Sequence, residues 1–401
     1  GDGGAVTVTN DGDIVTMGVG SFGIFAQSVG GGGGLAGGLG NDIAILDQQN
    51  FAGSVGGDGS GGVIQVTQRG NIAVLGDAAD GIFAQSDAAN GTGGNVQINV
   101  AGHIEAGGAH ANGIRAHSQG NLGSGNIAVT IESGSVRGGT ETGAAVRFID
   151  GADNTLTNRG EIGRLDELAR VTVAGGEGNE AIENFGRVLG SMSLGGGTNT
   201  FQNRASGVFA SGATVDLGAL GTARNEGVWS VGASDEIANT ALTGSFAQTS
   251  SGTLLIDIDH LAGTTDRIDV LGGSASLAGA LELNPVNLTS IRPGTTQTIL
   301  ASSAGGLSAS NLQLVVAPSI IAQYALTTLS NTQLALSLTT DFAPDPGGSV
   351  QLTANEVAVG NYFNAVQLAG SSPALGPTVA GLLQVTDLSQ LGSIYQLMSP
   401  Q

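Results

Sequence analysis

One strip of residues occurs three times in the first third of the chain and limits what the chain can fold into. It reads Gly23-Ile24-Phe25-Ala26-Gln27-Ser28, then Gly81-Ile82-Phe83-Ala84-Gln85-Ser86, then the looser Gly113-Ile114-Arg115-Ala116-His117-Ser118. A catalytic motif needs to occur once. A unit that buries its apolar side only against copies of itself must recur, at intervals of tens of residues. The strip therefore predicts a stacked, elongated architecture before it predicts any chemistry.

Short alternating strands surround the strip. Apolar β-branched residues mark corresponding strands at Val6/Val8, Val63/Val66, Val96/Ile98/Val100 and Ile127/Val129/Ile131. The intervals 63→96 and 96→127 are 33 and 31 residues, so one unit is about 32 long. Each unit holds two further short strands, as in Ile72-Ala73-Val74 and Ile82-Phe83-Ala84, with turns at Arg69-Gly70-Asn71, Gly102 and Gly134. Three short strands per unit joined by Gly/Asn turns is the pattern of an all-β parallel β-helix with a triangular cross-section. The interval 6→63 is longer, 57 residues, and includes the strand-like Asp42-Ile43-Ala44-Ile45-Leu46, read as an inserted loop or an additional coil.

From about residue 150 the units tighten. Asn158, Asn184, Asn203 and Asn225 recur at intervals of 26, 19 and 22, each after an apolar residue and before a turn, often with glycine. Asparagine tolerates a left-handed turn, and stacked on itself it can hydrogen-bond from coil to coil. Four segments follow: 1–150 with the longer repeats and protruding loops, 151–243 with tighter coils, 244–340 with longer strands that cap the open end, and 341–401 with a linker and helices. All eight prolines lie beyond residue 284, and proline is unwelcome in a central strand. In the last segment Thr353-Ala-Asn-Glu356 is a capping box, and a second helix is expected over Thr386–Leu397.

Composition narrows the function classes. The chain carries 33 acidic residues against twelve arginines and no lysine, a net charge of −21. Such a chain repels nucleic acid and anionic headgroups. Cysteine is absent, so no disulfide staples the fold. Gly1-Asp2-Gly3-Gly4 lacks the basic and apolar regions of a signal peptide, and no apolar run of about 18 residues occurs. The sequence starts inside a repeat and reads as a piece of a longer protein.

Gly23-Ile-Phe-Ala-Gln-Ser-Val-Gly-Gly-Gly-Gly-Gly34 resembles repeats of bacterial type V (classical, pertactin-like) autotransporter passengers, and the stretch Asn184–Phe201 is similar to their pertactin-like coils. Leu242–Leu254 with Asp266–Gly279 resembles their autochaperone block. Leu352–Val359 and Gln396-Leu-Met-Ser-Pro400 resemble the stretch before their membrane barrel. The resemblance implies a right-handed parallel β-helix with a C-terminal β cap and a helical tail leading to an outer-membrane barrel of the same polypeptide. It places the passenger on a Gram-negative cell surface.

Each sharper motif has a plainer reading. Gly57-Asp-Gly-Ser60-Gly-Gly62 approaches a serine-protease stretch, but Gly59 interrupts it and Ser60 precedes every histidine; a flexible loop is expected. Gly37–Asp42 fits the start of a calcium-binding nonapeptide without tandem copies, and Gly175–Glu180 fits it less well. His103, His110 and His117 fall on different faces of a triangular coil, as solvated loop residues. Gly30–Gly34 has no lysine behind it and reads as a loop leaving the stack. Asp257/Asp259 and Asp266/Asp269 alternate with apolar residues as the solvent face of an amphipathic sheet. Arg69-Gly70-Asn71 and Arg159-Gly160-Glu161 are the nearest approaches to Arg-Gly-Asp. No catalytic, cofactor or metal residue is assigned, and no enzyme activity is expected. The function expected is adhesion, to a host cell-surface or extracellular-matrix component or to the same protein on a neighbouring cell. The alternative is an inert stalk presenting an upstream enzyme or toxin domain.

Overall fold

A computed structural model describes residues 1–31, 57–291, 296–302 and 305–399. The expected strand at Asp42–Leu46 and the calcium-like Gly37–Asp42 lie outside the described residues.

The chain is an all-β stack whose strands pair in three parallel columns. The first column begins with Val6–Asn10, Ile64–Gln68, Val96–Val100, Ile127–Ile131, Asp153–Asn158 and Asn179–Asn184. The second begins with Ile14–Thr16, Ile72–Val74, His103–Ala106, Ser135–Arg137 and Glu161–Gly163. The third begins with Ile24–Gly30, Ile82–Ala88, Ile114–Gly120, Val146–Asp150 and Val171–Ala174. Every chain repeat thus returns to the same column one strand further on.

The register sharpens the sequence reading. Val63 is exposed, and Ile64 with Val66 faces inward, because Val6 pairs with Ile64 and Ile64 with Val96. The intervals are 58 residues between the first two coils, as from Asn10 to Gln68, and then 32, as from Asn71 to His103. The first coil pairs directly with the second in all three columns.

Beyond residue 186 single strands serve two columns. Arg187–Ser193 pairs with the second column through Arg187–Leu189 and with the third through Ser191–Ser193. Arg267–Val286 passes through all three, bending where Gly272 and Gly279 have φ of 81° and 75°, values that favour glycine. Pro285 sits inside this strand, opposite Ile258. Its other side has no strand neighbour, since pairing there ends at Glu282, so the missing N–H removes no ladder bond. Parallel pairing crosses residue 244 unbroken and continues to Val315.

Inward-pointing side chains form one continuous core. Alternate strand residues such as Ile64/Val66, Val96/Ile98 and Ile127/Val129 are sealed inside it. In the tighter coils the aromatic side chains meet: Phe201–Phe209, Phe209–Trp229 and Trp229–Phe246 pack edge to face with centroids 4.8, 4.6 and 4.9 Å apart. One corner is a column of glycines, Gly12, Gly70, Gly102, Gly134, Gly160 and Gly186. A Cβ on any of the last five would collide with the carbonyl oxygen of the glycine one coil before it.

The asparagine ladder forms as expected. Asn158 Nδ2 donates to Asn184 Oδ1, Asn184 Nδ2 to Asn203 Oδ1 and Asn203 Nδ2 to Asn225 Oδ1, each at 2.8 Å. Asn225 Nδ2 continues to Gln248 Oε1 at 3.1 Å. The second amide proton of each asparagine goes to a backbone carbonyl, those of Arg187, Val208, Val228 and Thr253. All four side chains are fully buried, so each bond is made where water cannot replace it.

The C-terminal end leaves the parallel pattern. Thr296–Ser302 and Ala322–Ser330 flank Gln333–Thr340 in antiparallel pairing. Three helices, α1 (Ala354–Leu368), α2 (Gly376–Leu382) and α3 (Leu388–Met398), cover this end around a second core of Phe342, Phe363, Val379, Leu391 and Tyr395. The capping box at Thr353 and Glu356 is made in both directions. Asp387 caps α3, whose range shifts slightly from the expected 386–397. The helix α2, opened by Gly376-Pro377, was not expected from the sequence.

Replacing Asn203 by alanine leaves buried partners on both sides without a bond. N203A is expected to lower the stability by about 2–4 kcal/mol, a value typical of unsatisfied buried amides. Replacing exposed Ser206 by alanine should change it little. Chemical-denaturation midpoints of the two variants check this.

Candidate functional site

The sequence motifs resolve into structural parts. Gly57–Gly62 is tied into the stack: Gly3 N–H donates to Ser60 O at 2.8 Å and Gly61 N–H to Thr92 O at 2.9 Å. Ser60 Oγ accepts from the Thr92 amide at 3.2 Å. It therefore belongs to a bonded segment and not a flexible loop; its amide donates to Asp2 Oδ1 at 2.8 Å, and among the described residues no histidine or carboxylate is bonded to its hydroxyl. Gly30 ends the third-column strand Ile24–Gly30, Gly31 N–H donates to Gly1 O at 2.9 Å, and Gly32–Gly34 lie outside the described residues. Arg69 pairs with Asp11 at 2.7 Å, Gly70 belongs to the glycine column and Asn71 Oδ1 accepts from the His103 amide. Arg159 lies over the Phe185 ring, and Glu161 bridges Arg137 and Arg187.

The three spaced histidines separate as expected. His103 lies in the second column beside Ser135, His110 in the following turn beside Glu141, and His117 in the third column. His117 is not a loop residue. It is half-buried between Gln85, 3.0 Å from Nδ1, and Asp150, 3.2 Å from Nε2. Among the described residues no three His, Asp or Glu side chains converge as a metal centre.

Asp257 and Asp266 overturn the solvent-face reading. They are only 2% and 1% exposed, because the segment after Val231 folds back over them. Asp266 accepts from the amides of Ala238 at 2.7 Å and Asp257 at 2.8 Å. Asp257 accepts from the Glu236 amide at 3.1 Å and from Asn284 Nδ2 at 2.8 Å. The pair staples the 235–238 segment to the cap. Burial pushes the Asp266 carboxyl up to about 7 and raises Asp257 as well. Asp259 and Asp269 stay at the surface. Beside them His260 is buried, its Nε2 2.7 Å from the hydroxyl of Tyr324 in the antiparallel cap, and burial lowers it to about 4.

Two further features have no sequence signature. Asp80 and Arg115 form a buried ion pair at 2.5 Å, with Asn112 donating to Asp80 from both its amides at 2.9 Å. Burial raises the Asp80 carboxyl, against the opposing pull of Arg115. Arg115 also lies over Phe83, 4.7 Å from the ring centre. The pair becomes visible only when the register sets Asp80 beside Asn112 and the third copy of the opening strip.

The second feature is an open groove of about 780 Å³ on the second column's outer side. One wall is the 3-10 turn Leu165–Glu167 and another is Ala233 with Glu236; Leu168, Ala169 and Leu189 line it as well. Its charges alternate. Arg137 bonds Glu105 and Glu161 at 3.3 Å, Arg164 bonds Glu105 at 2.7 Å, and Arg187 bonds Glu161 at 3.3 Å. A quarter of the chain's twelve arginines line this one groove, in a molecule of strong negative charge. The groove can take a ligand that carries both charges or many hydroxyls. Among the described residues its lining holds no Ser, Thr or His, and its acids are Glu161, Asp166 and Glu236.

The acidic pair gives a pH dependence. Between the ordinary value of 3.8 and about 7 the folded chain keeps the Asp266 proton that the unfolded chain has lost. The associated stability is full below about pH 4 and is lost as the pH rises through 7. His260 opposes this only between about 4 and 6.5, where the unfolded chain charges and the folded chain does not. From pH 6.5 to 8 Asp266 titrates together with Glu180, which burial likewise raises to about 7, so the melting temperature should fall by about 1–2 °C, and D266N should flatten part of that fall. Scanning calorimetry of both proteins checks it.

No protein-family model matches the chain, and no curated protein matches it in sequence.

Proposed function

We propose that the chain is a segment of an autotransporter passenger, wound as a right-handed parallel β-helix and acting as an adhesin on a Gram-negative cell surface. The observation that carries this reading is the stack itself. One core and three in-register columns run from Val6 to Val315, so the outward positions form long rows. Crossovers between parallel strands of one sheet are right-handed in about 98% of cases, which supports the winding. The sequence strips similar to passenger repeats and to the autochaperone block support the family.

Rows of polar side chains suit adhesion, because many weak contacts add along a rigid face. Thr7, Gln65 and Gln97 are register partners on successive coils and form one such exposed row. The charged groove supplies the place where the second face is concave. Partners of this surface would be a host cell-surface or matrix component, or the same protein on a neighbouring cell. The barrel that anchors it would belong to the same polypeptide.

The test is display of the full protein on a non-adherent bacterium, with adherence to cells and cell–cell clumping measured against empty vector. Adherence or clumping is expected; equality with empty vector contradicts the adhesin reading and favours the inert stalk. R164E reverses one groove charge whose partners are surface pairs, and such pairs contribute little to stability. It is expected to reduce adherence several-fold, and the remaining adherence should fall less steeply with salt than in the unmodified protein.

A further inference from the structure

The ion pairs at the charged groove form one chain in which the sign alternates. Arg164 bonds Glu105 at 2.7 Å, Glu105 bonds Arg137 at 3.3 Å, Arg137 bonds Glu161 at 3.3 Å, and Glu161 bonds Arg187 at 3.3 Å. Three guanidiniums against two carboxylates leave one positive charge over, in a molecule of net charge −21. The two ends are the least paired members. Arg137 spends both terminal nitrogens on its two carboxylates. Arg187 meets Glu161 through Nε, and Arg164 holds Glu105 through Nη2, with Asp166 no nearer to its Nε than 3.9 Å. A guanidinium carries five donors in a fork that matches a carboxylate, so each end arginine keeps donors for a ligand.

The coils set the spacing of those ends. Glu105 pairs in register with Arg137, and Ser135 of the same strand pairs with Glu161, so the two carboxylates lie two coils apart. Two steps of about 4.8 Å hold the arginines at either end roughly 10 Å apart along the stack. One step is close to the length of one pyranose unit. A sugar chain lying along the stack therefore meets about one coil per residue, and its carboxylates reach both end arginines when they sit on alternate sugars. The sugar between them lies over Arg137. Hydroxyls there can donate to Glu105 and Glu161, whereas a carboxylate would meet both as a like charge.

The groove disfavours the other classes of ligand. The strands beneath it are paired on both sides, so a peptide finds no free backbone groups to extend. A polyanion with charge on every sugar is repelled by Asp166 and Glu236 on the walls. A neutral sugar leaves the end arginines unused. The volume, about 780 Å³, lies within the range of about 300–1,000 Å³ of small-ligand sites. Leu168, Ala169 and Ala233 supply apolar contact for ring faces, and among the described residues no aromatic ring lines the groove, so polar contacts carry the binding.

We propose that the groove binds an unsulfated oligosaccharide in which a uronate alternates with a neutral sugar, laid along the stack with successive carboxylates on Arg164 and Arg187. This inference rests on reading the groove as part of the adhesive surface, and it gives the matrix partner a chemical class.

The experiment is calorimetric titration of the purified full chain at low salt with four probes. They are a hyaluronan hexasaccharide (alternating uronate), chitohexaose (neutral), hexagalacturonate (a carboxylate on every sugar) and a heparin hexasaccharide (sulfated). The first is expected to bind at least about tenfold more tightly than each of the others, the scale of one charge-assisted hydrogen bond. R164Q and R187Q are each expected to weaken it by about tenfold. R69Q, which changes an arginine paired with Asp11 away from the groove, should leave it unchanged. The exchanged pairs are exposed, so the variants should keep the melting temperature of the unmodified chain. No binding of the hyaluronan probe, equal or tighter binding of any other probe, or unchanged affinity in R164Q and R187Q would overturn the inference. Adherence of displayed cells without hyaluronan binding by the purified chain overturns this inference alone. Binding without adherence overturns the adhesin reading alone.

Discussion

The backbone ladder between successive coils is the interaction on which everything else rests. Parallel pairing fixes neighbouring strands about 4.8 Å apart and gives every residue a counterpart in the next coil. A side chain therefore experiences mainly its own equivalents above and below. Apolar positions become one core, asparagines become a donor–acceptor chain from Asn158 to Gln248, and glycines become a corner too tight for any Cβ. The same constraint explains the composition. A narrow interior takes Val, Ile and Ala, and close-packed corners take glycine, 71 of them in this chain.

A ladder of this kind has ends, and unpaired strand edges invite association. At the C-terminal end the molecule changes its pairing: Gln333–Thr340 runs antiparallel to two neighbours, and three helices close a second core over it. The buried Asp257 and Asp266 belong to that closure. They accept hydrogen bonds from backbone amides, which holds a covering segment in place, while burial raises both carboxyls and leaves the region sensitive to pH.

What was legible in the sequence is what recurs. The three-strand repeat, the asparagine ladder and the capping box at Thr353 all rest on fixed spacings, and spacing survives folding. Register was less legible. Val63 and Ile64 are adjacent and both apolar, so alternation alone did not decide which faces inward, and the choice was off by one residue. Asp257 was misplaced for a different reason. Alternation with Leu254 and Ile256 tells which side of the strand it occupies, and not that residues 235–238 return to cover that side. Asp80–Arg115 and Asn154–Glu180 were invisible because their members are 35 and 26 residues apart and meet only across coils. The groove lined by Arg137, Arg164 and Arg187 was invisible for the same reason.

The central claim is the direct pairing of the first coil with the second across a 58-residue interval. The chain has no cysteine, so engineered pairs are unambiguous. Thr9 and Thr67 are register partners, and Asn99 is one coil further. The direct measurement is cross-linking of T9C/T67C and T9C/N99C with a reagent spanning about 5 Å, one strand spacing. Efficient cross-linking of T9C/T67C with little of T9C/N99C is the result the stack requires. Equal cross-linking of both pairs, or none of the first, would contradict it.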